Sequence, residues 1–110
     1  MPTKIHRKLV RDRIPRIIVK DGGTPKIRTL SSEGFKDALL KKLVEEATEA
    51  RDANNIKELM DELADLDEVR LAILAAYNID PGELEQLRKK RARQRGAFTL
   101  KTFLESVKTK

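Results

Sequence analysis

The chain has 110 residues, no cysteine and one histidine, His6, which suits a single domain and excludes disulfides, thiolate zinc sites, a cysteine nucleophile and a multi-histidine metal centre. Any metal must be held by oxygen, which favours Mg²⁺, Mn²⁺ or Ca²⁺. The net charge is +6, yet Glu45 to Glu68 holds ten acidic and two basic residues, a local charge of −8, and the rest of the chain carries 22 basic and 8 acidic residues.

This segregation has two readings: a metal site in a cationic surround that attracts a polyphosphate, or a nucleic-acid binder with one solvated acidic helix face. No apolar run approaches the roughly 20 residues of a membrane span. The start is basic with no apolar segment behind it, unlike a signal peptide. A cytoplasmic protein with no membrane partner is expected.

Lys4 to Arg13 mixes basic and apolar residues without a clear period. Pro15 opens a short helix through Ile17, Ile18 and Val19, which ends at Asp21-Gly22-Gly23, where glycine accepts the left-handed conformation. Thr24 to Leu30 reads as extended, because Pro25 disfavours helix at Thr24. Ser31 or Ser32 caps a long helix over Glu33 to Ala53. Asn55 and Glu58 form a capping-box pattern for a second, Ile56 to Tyr77. Asp80-Pro81-x-Glu83 starts a third, which Gly96 ends. The tail is apolar at Phe98, Leu100, Phe103 and Leu104, and reads as extended or as a last helical turn. The fold class is all-α: a helical hairpin plus a third helix, one domain over residues 1–110, with a four-helix-bundle-type core completed by oligomerisation.

On a helical wheel, Leu39, Leu40, Leu43, Val44, Ala47 and Ala50 form the expected buried stripe of the first long helix. Glu46 falls at its edge, Glu49 one turn on, and Glu45 points away. The second long helix is expected to bury Leu59, Met60, Leu63 and Leu66, with Glu62 beside them and Asp65 a turn later. Each helix thus offers a carboxylate pair at i, i+3, whose side chains are neighbours and repel. Four carboxylates converging from two helices call for a cation; the alternative is ordinary solvated charges on good helix formers. Magnesium fits better than calcium, because no glycine-containing calcium loop is present.

Glu45-Glu46-x-x-Glu49 followed by Glu62-x-x-Asp65 resembles the signature of the all-α nucleoside triphosphate pyrophosphohydrolases of the MazG superfamily. Lys8-Leu9-Val10-Arg11-Asp12-Arg13-Ile14-Pro15, Asp80-Pro81 and Lys89-Lys90-Arg91…Arg95-Gly96-x-Phe98 are similar to its phosphoribosyl-ATP pyrophosphohydrolase-like branch. The resemblance implies a MazG-like helical fold that dimerises or forms tetramers. It also implies cleavage between the α and β phosphates of a nucleotide. Carried over by position, Glu46, Glu49, Glu62 and Asp65 would bind Mg²⁺ (or Mn²⁺), and Glu45 would support them. Glu46 or Glu49 would orient the attacking water. The few serines lack a neighbouring base, so a covalent route is disfavoured.

Lys8, Arg11, Asp12, Arg91 and Arg95 are the candidate substrate contacts, against the alternative of surface residues lying along apolar neighbours. On the wheel, Arg91 and Arg95 share the face of Leu84 and Leu87 and are expected to point to the core side. Tyr77 and Phe35 read as core rather than as stacking platforms. Asp67 and Arg70 depart from expectation, falling where the second long helix should be apolar. They would form an ion pair, line a substrate pocket or meet a neighbouring chain. The competing function is a basic helical module that binds nucleic acid without catalysis.

Overall fold

The computed structural model describes residues 2–109 and is all-helical: α1 (Ile14–Lys20), α2 (Ser32–Arg51), α3 (Ile56–Ala76) and α4 (Pro81–Arg95) are joined by irregular segments, with no strand among the described residues. No helix among them is long and apolar enough to cross a membrane. The chain divides into two compact units, Met1–Asn78 and Ile79–Lys110.

Local chemistry sets each boundary. Pro15 lies in the first turn of α1, and Gly22 takes a left-handed φ of 95° just after its C-cap Asp21. Ser31 caps α2 by accepting a hydrogen bond from the Gly34 amide at 3.1 Å. Asn55 caps α3 through the Glu58 amide at 2.9 Å, and Glu58 reaches back to accept from the Asn54 amide at 2.9 Å. Asp80 caps α4 through the Gly82 amide at 2.7 Å. These contacts satisfy donors that a helix start leaves free. The tail after Gly96 turns at Phe98–Leu100 and is otherwise irregular.

The short link Asp52–Asn55 folds α3 back along α2, and these two helices pack together as the centre of the first unit. Leu39, Leu43, Glu46 and Ala50 of α2, with Leu59, Glu62, Leu66, Val69 and Ile73 of α3, are buried or half-buried. Their spacing alternates three and four residues, as in a coiled-coil seam. The wheel reading needs correction here. Leu40, Val44 and Ala47 of α2 and Met60 and Leu63 of α3 are exposed, and Val69 and Leu74 take their place in the core with Leu39. Each helix carries two adjacent apolar stripes, and a single hairpin partner covers only one. The packed stripe lies about one residue around from the expected centre, which brings Glu46 and Glu62 into the seam.

Asp67 and Arg70 also stand exposed rather than buried. They form an ion pair at 2.8 Å and border an open groove of about 520 Å³ with Leu43, Leu63, Ala64 and Leu66. Tyr77 and Phe35, expected in the core, sit near its margin at 40% and 36% exposure, with the Lys36 ammonium 5.3 Å from the Tyr77 ring centroid.

The α3 cap gives a direct test. Asn55→Ala should lower the unfolding free energy in urea by about 1 kcal/mol. Asn54→Ala keeps the backbone bond to Glu58 and should cost less. Equal losses would show that the capping bond does not set the start of α3.

Candidate carboxylate centre

Two helical turns of the hairpin supply the site. Glu46 enters it from α2 and Glu62 from α3, both at seam positions, and Glu49 stands one turn after Glu46 with its residue surface exposed. One carboxylate oxygen from each of Glu46, Glu49 and Glu62 lies within 4.8 Å of the other two. Glu46 is only 6% exposed. Its Oε2 is buried with no hydrogen-bond partner, and so is Oε2 of Glu62. A buried oxygen without a partner is costly, and a buried charge more so.

Basic residues surround this centre without entering it. Lys42, on α2, lies 3.3 Å from Glu45 Oε1 and 3.6 Å from Glu46 Oε1, with its side chain mostly buried. Lys8 of the N-terminal segment lies 3.5 Å from the same Glu45 oxygen. Arg11 donates from Nη2 to Asp65 Oδ1 at 2.7 Å. Three of the four expected ligands therefore come together, and the fourth, Asp65, is held by Arg11. Glu45 stands outside the group, tied to two lysines. Asp12 is exposed. Arg91 and Arg95 are exposed on α4, in the second unit. Sequence reasoning missed Lys42, although its spacing to Glu45 and Glu46 (i, i+3 and i, i+4) is that of helical ion pairs.

The electrostatics follow from this crowding. Burial raises the Glu46 carboxyl above its usual range, and the charge of Glu49 and a hydrogen bond to it add to the rise; Lys42 opposes it, and Asp65 adds a smaller repulsion. Glu62 is pushed from 4.5 to about 7, first by loss of water, then by hydrogen bonding and repulsion from Glu49, with Asp65 and Glu46 contributing. Without a cation the centre therefore holds protons that separate carboxylates would have lost. An all-oxygen donor set with two unpartnered buried oxygens fits a hard divalent cation. Glu46, Glu49 and Glu62 have the positions to hold one, with Asp65 beside them on α3.

A helical hairpin with an all-carboxylate centre in its seam is the class of protein that this geometry defines. Residues 21–92 match the family described as phosphoribosyl-ATP pyrophosphohydrolase, and the chain belongs to that family. The matched region contains the four expected ligands and Arg91; Lys8, Arg11, Asp12 and Arg95 lie outside it. The chain is also similar to an uncharacterised protein of Mycolicibacterium smegmatis, at 53% identity over 47 residues. That match covers 43% of this chain and 48% of the relative, so it spans about half of the relative's length. No solved structure matches the chain.

The pKa shifts predict a pH effect. Between pH 4.5 and about 7 the folded chain holds protons on Glu62 that the unfolded chain has released. The stability this contributes is full below pH 4.5 and is lost as pH climbs through 7. In EDTA, the melting temperature should fall over that window, and Glu62→Gln should flatten the fall. Identical pH profiles for the two proteins would mean that Glu62 is not crowded by its neighbours.

Proposed function

We propose that the protein is a Mg²⁺-dependent nucleoside triphosphate pyrophosphohydrolase that releases a nucleoside monophosphate and pyrophosphate. The observation that carries this reading is the meeting of Glu46, Glu49 and Glu62, with unpartnered oxygens buried in the seam of the hairpin. Family membership supports it. The nucleic-acid-binding alternative gives no reason to bury acidic groups in the seam, at a cost to the hairpin's own packing.

In the proposed reaction a water oxygen bonds to the α-phosphorus, the bond to the bridging oxygen breaks, and pyrophosphate leaves. Glu46, Glu49 and Glu62, with Asp65, would hold the cation. A bound divalent ion supplies charge neutralisation at the phosphoryl oxygens and lowers the pKa of a coordinated water. Glu49, at the exposed rim, orients the attacking water and accepts its proton, with Glu46 the alternative; no protein nucleophile is needed. Lys42 neutralises part of the charge on Glu46 and Glu45 and opposes the rise of the Glu46 carboxyl. Lys8 and Arg11 contact the phosphates from the N-terminal segment. Arg91 and Arg95 retain a proposed part in phosphate binding on their charge alone.

The proposed assembly is a homodimer or homotetramer. In the first unit, Leu39, Val69 and Leu74 are the buried apolar residues among those described, while Leu40, Val44, Met60, Leu63 and Leu71 are between 44% and 66% exposed. A second copy would cover that apolar stripe and supply the remaining layer of a bundle. Light scattering should therefore give a multiple of the chain mass, and Val44→Asp with Met60→Asp should shift it toward the monomer. An unchanged mass in the double variant would show that this stripe is not the interface.

The activity test is a panel of standard and modified nucleoside triphosphates, assayed for pyrophosphate and monophosphate with Mg²⁺ and with EDTA. Glu49→Gln should cost about 10²-fold or more in turnover, the usual contribution of a proton-transferring group. Orthophosphate as the product would mean that a different bond is cut. No turnover on any nucleotide would overturn the assignment.

A further inference from the structure

The N-terminal segment does more than lie near the carboxylates. Arg7 takes a left-handed φ of 48°, and directly after it Lys8 reaches Glu45 on α2 at 3.5 Å while Arg11 reaches Asp65 on α3 at 2.7 Å. Four residues of backbone therefore tie both helices of the hairpin, one cation on a carboxylate of each helix that neighbours the trio in sequence. The side chains of both cations remain about half exposed, at 46% and 55%. Water can reach both pairs, so both can open without stranding a buried charge.

Arg11 also holds the carboxylate that a bound divalent cation would use next. Asp65 lies at i+3 from Glu62 and so neighbours it on α3. A guanidinium at 2.7 Å and a divalent cation on the same carboxylate repel one another and compete for its charge. A guanidinium is equally suited to phosphate, whose oxygens it can engage through two parallel hydrogen bonds.

We propose that residues 8–11 form a cation-exchange strap: in the metal-free chain Arg11 occupies Asp65, and a divalent cation displaces Arg11 onto the polyphosphate that the cation brings or receives. The strap makes metal binding and polyphosphate binding mutually dependent. The metal holds Asp65 more tightly once Arg11 leaves it, and Arg11 is freed for phosphate as the metal takes over the charge of Asp65. By linkage, polyphosphate then tightens metal binding by the same factor as metal tightens polyphosphate. This inference rests on the reading of the carboxylate centre as a divalent-cation site.

The test uses the full chain with Mn²⁺ as the probe, followed by the paramagnetic resonance signal of the free ion, and pyrophosphate binding followed by calorimetry. Without pyrophosphate, Arg11→Met should bind Mn²⁺ about two- to five-fold more tightly than the parent, the range expected for loss of an exposed competing ion pair. Lys8→Gln, which frees the other end of the strap, should shift Mn²⁺ affinity in the same direction by less. Pyrophosphate should bind the Mn²⁺-loaded parent more tightly than the metal-free one, and Arg11→Met should lose about tenfold of that affinity, as for loss of a charge-assisted bidentate contact. Equal or weaker Mn²⁺ binding by Arg11→Met would overturn the exchange and leave Arg11 a structural tie. Unchanged pyrophosphate affinity would overturn the transfer to phosphate. Failure of the parent chain to bind Mn²⁺ would be a different result, removing the cation-site reading and the strap with it.

Discussion

Glu46 fills a seam position of α2 that hairpin packing would ordinarily give to leucine, and it is almost wholly buried there. Glu62 fills a seam position of α3 and is half-buried, and Glu49 adds a third carboxylate within 4.8 Å. Much of what surrounds the seam can be understood as a response to this concentration of like charge. Lys42 is drawn into the hairpin beside Glu46. Lys8 and Arg11 close on the flanking acids from a segment distant in sequence. The raised pKa of Glu62 reflects first its loss of water and then the neighbouring negative charge that remains uncompensated. The hairpin gives up apolar contact at two seam positions, and such a loss is expected where a site, rather than stability, sets the residue.

The helix scaffold makes that concentration possible. Ser31 and Asn55 fix where α2 and α3 begin, and the short link between the helices sets their register. Within that register Glu46 and Glu62 face one another across the seam, and Glu49 and Asp65 follow on the next turn of each helix. Among the described residues Leu39, Val69 and Leu74 alone make a small buried core. A two-helix hairpin with so little apolar burial has a weak driving force for folding, which ties the stability of the centre to whatever covers the second apolar stripe.

The helices were legible in the sequence because their signals are local. Caps, prolines and the glycine after α1 act within a turn, and the structure begins and ends its elements close to where those residues stand. The carboxylate motif was legible for the same reason, since i, i+3 spacing fixes which side chains are neighbours on one helix. The facing of the helices was not. Leu39 and Leu43 are adjacent on the wheel to Leu40 and Val44, and hydrophobicity does not say which stripe meets the hairpin partner. Averaging the two put Glu46 at an edge instead of in the seam. The tie between Arg11 and Asp65 joins residues 54 apart; no local rule reaches that far. Lys42 was within reach of local rules, as a cation one turn before the double glutamate.

Charge segregation along the chain permits two functions, and burial favours the proposed one. A nucleic-acid binder with a solvated acidic face would leave its acids in water, where repulsion between neighbours costs only a few tenths of a kcal/mol per pair. Here two of the three acids that crowd one another, Glu46 and Glu62, are drawn wholly or partly out of water, so repulsion acts where solvent screens it less. A divalent cation held there would remove the repulsion and satisfy both unpartnered oxygens at once; Lys42 does not, because it reaches Glu46 through Oε1 and leaves Oε2 bare. The surrounding basic residues then have a second use. In the proposed function, a cation that neutralised the carboxylates would leave the positive charge of Lys8, Lys42 and Arg11 uncancelled, and the same surface that held the acids would attract a polyphosphate.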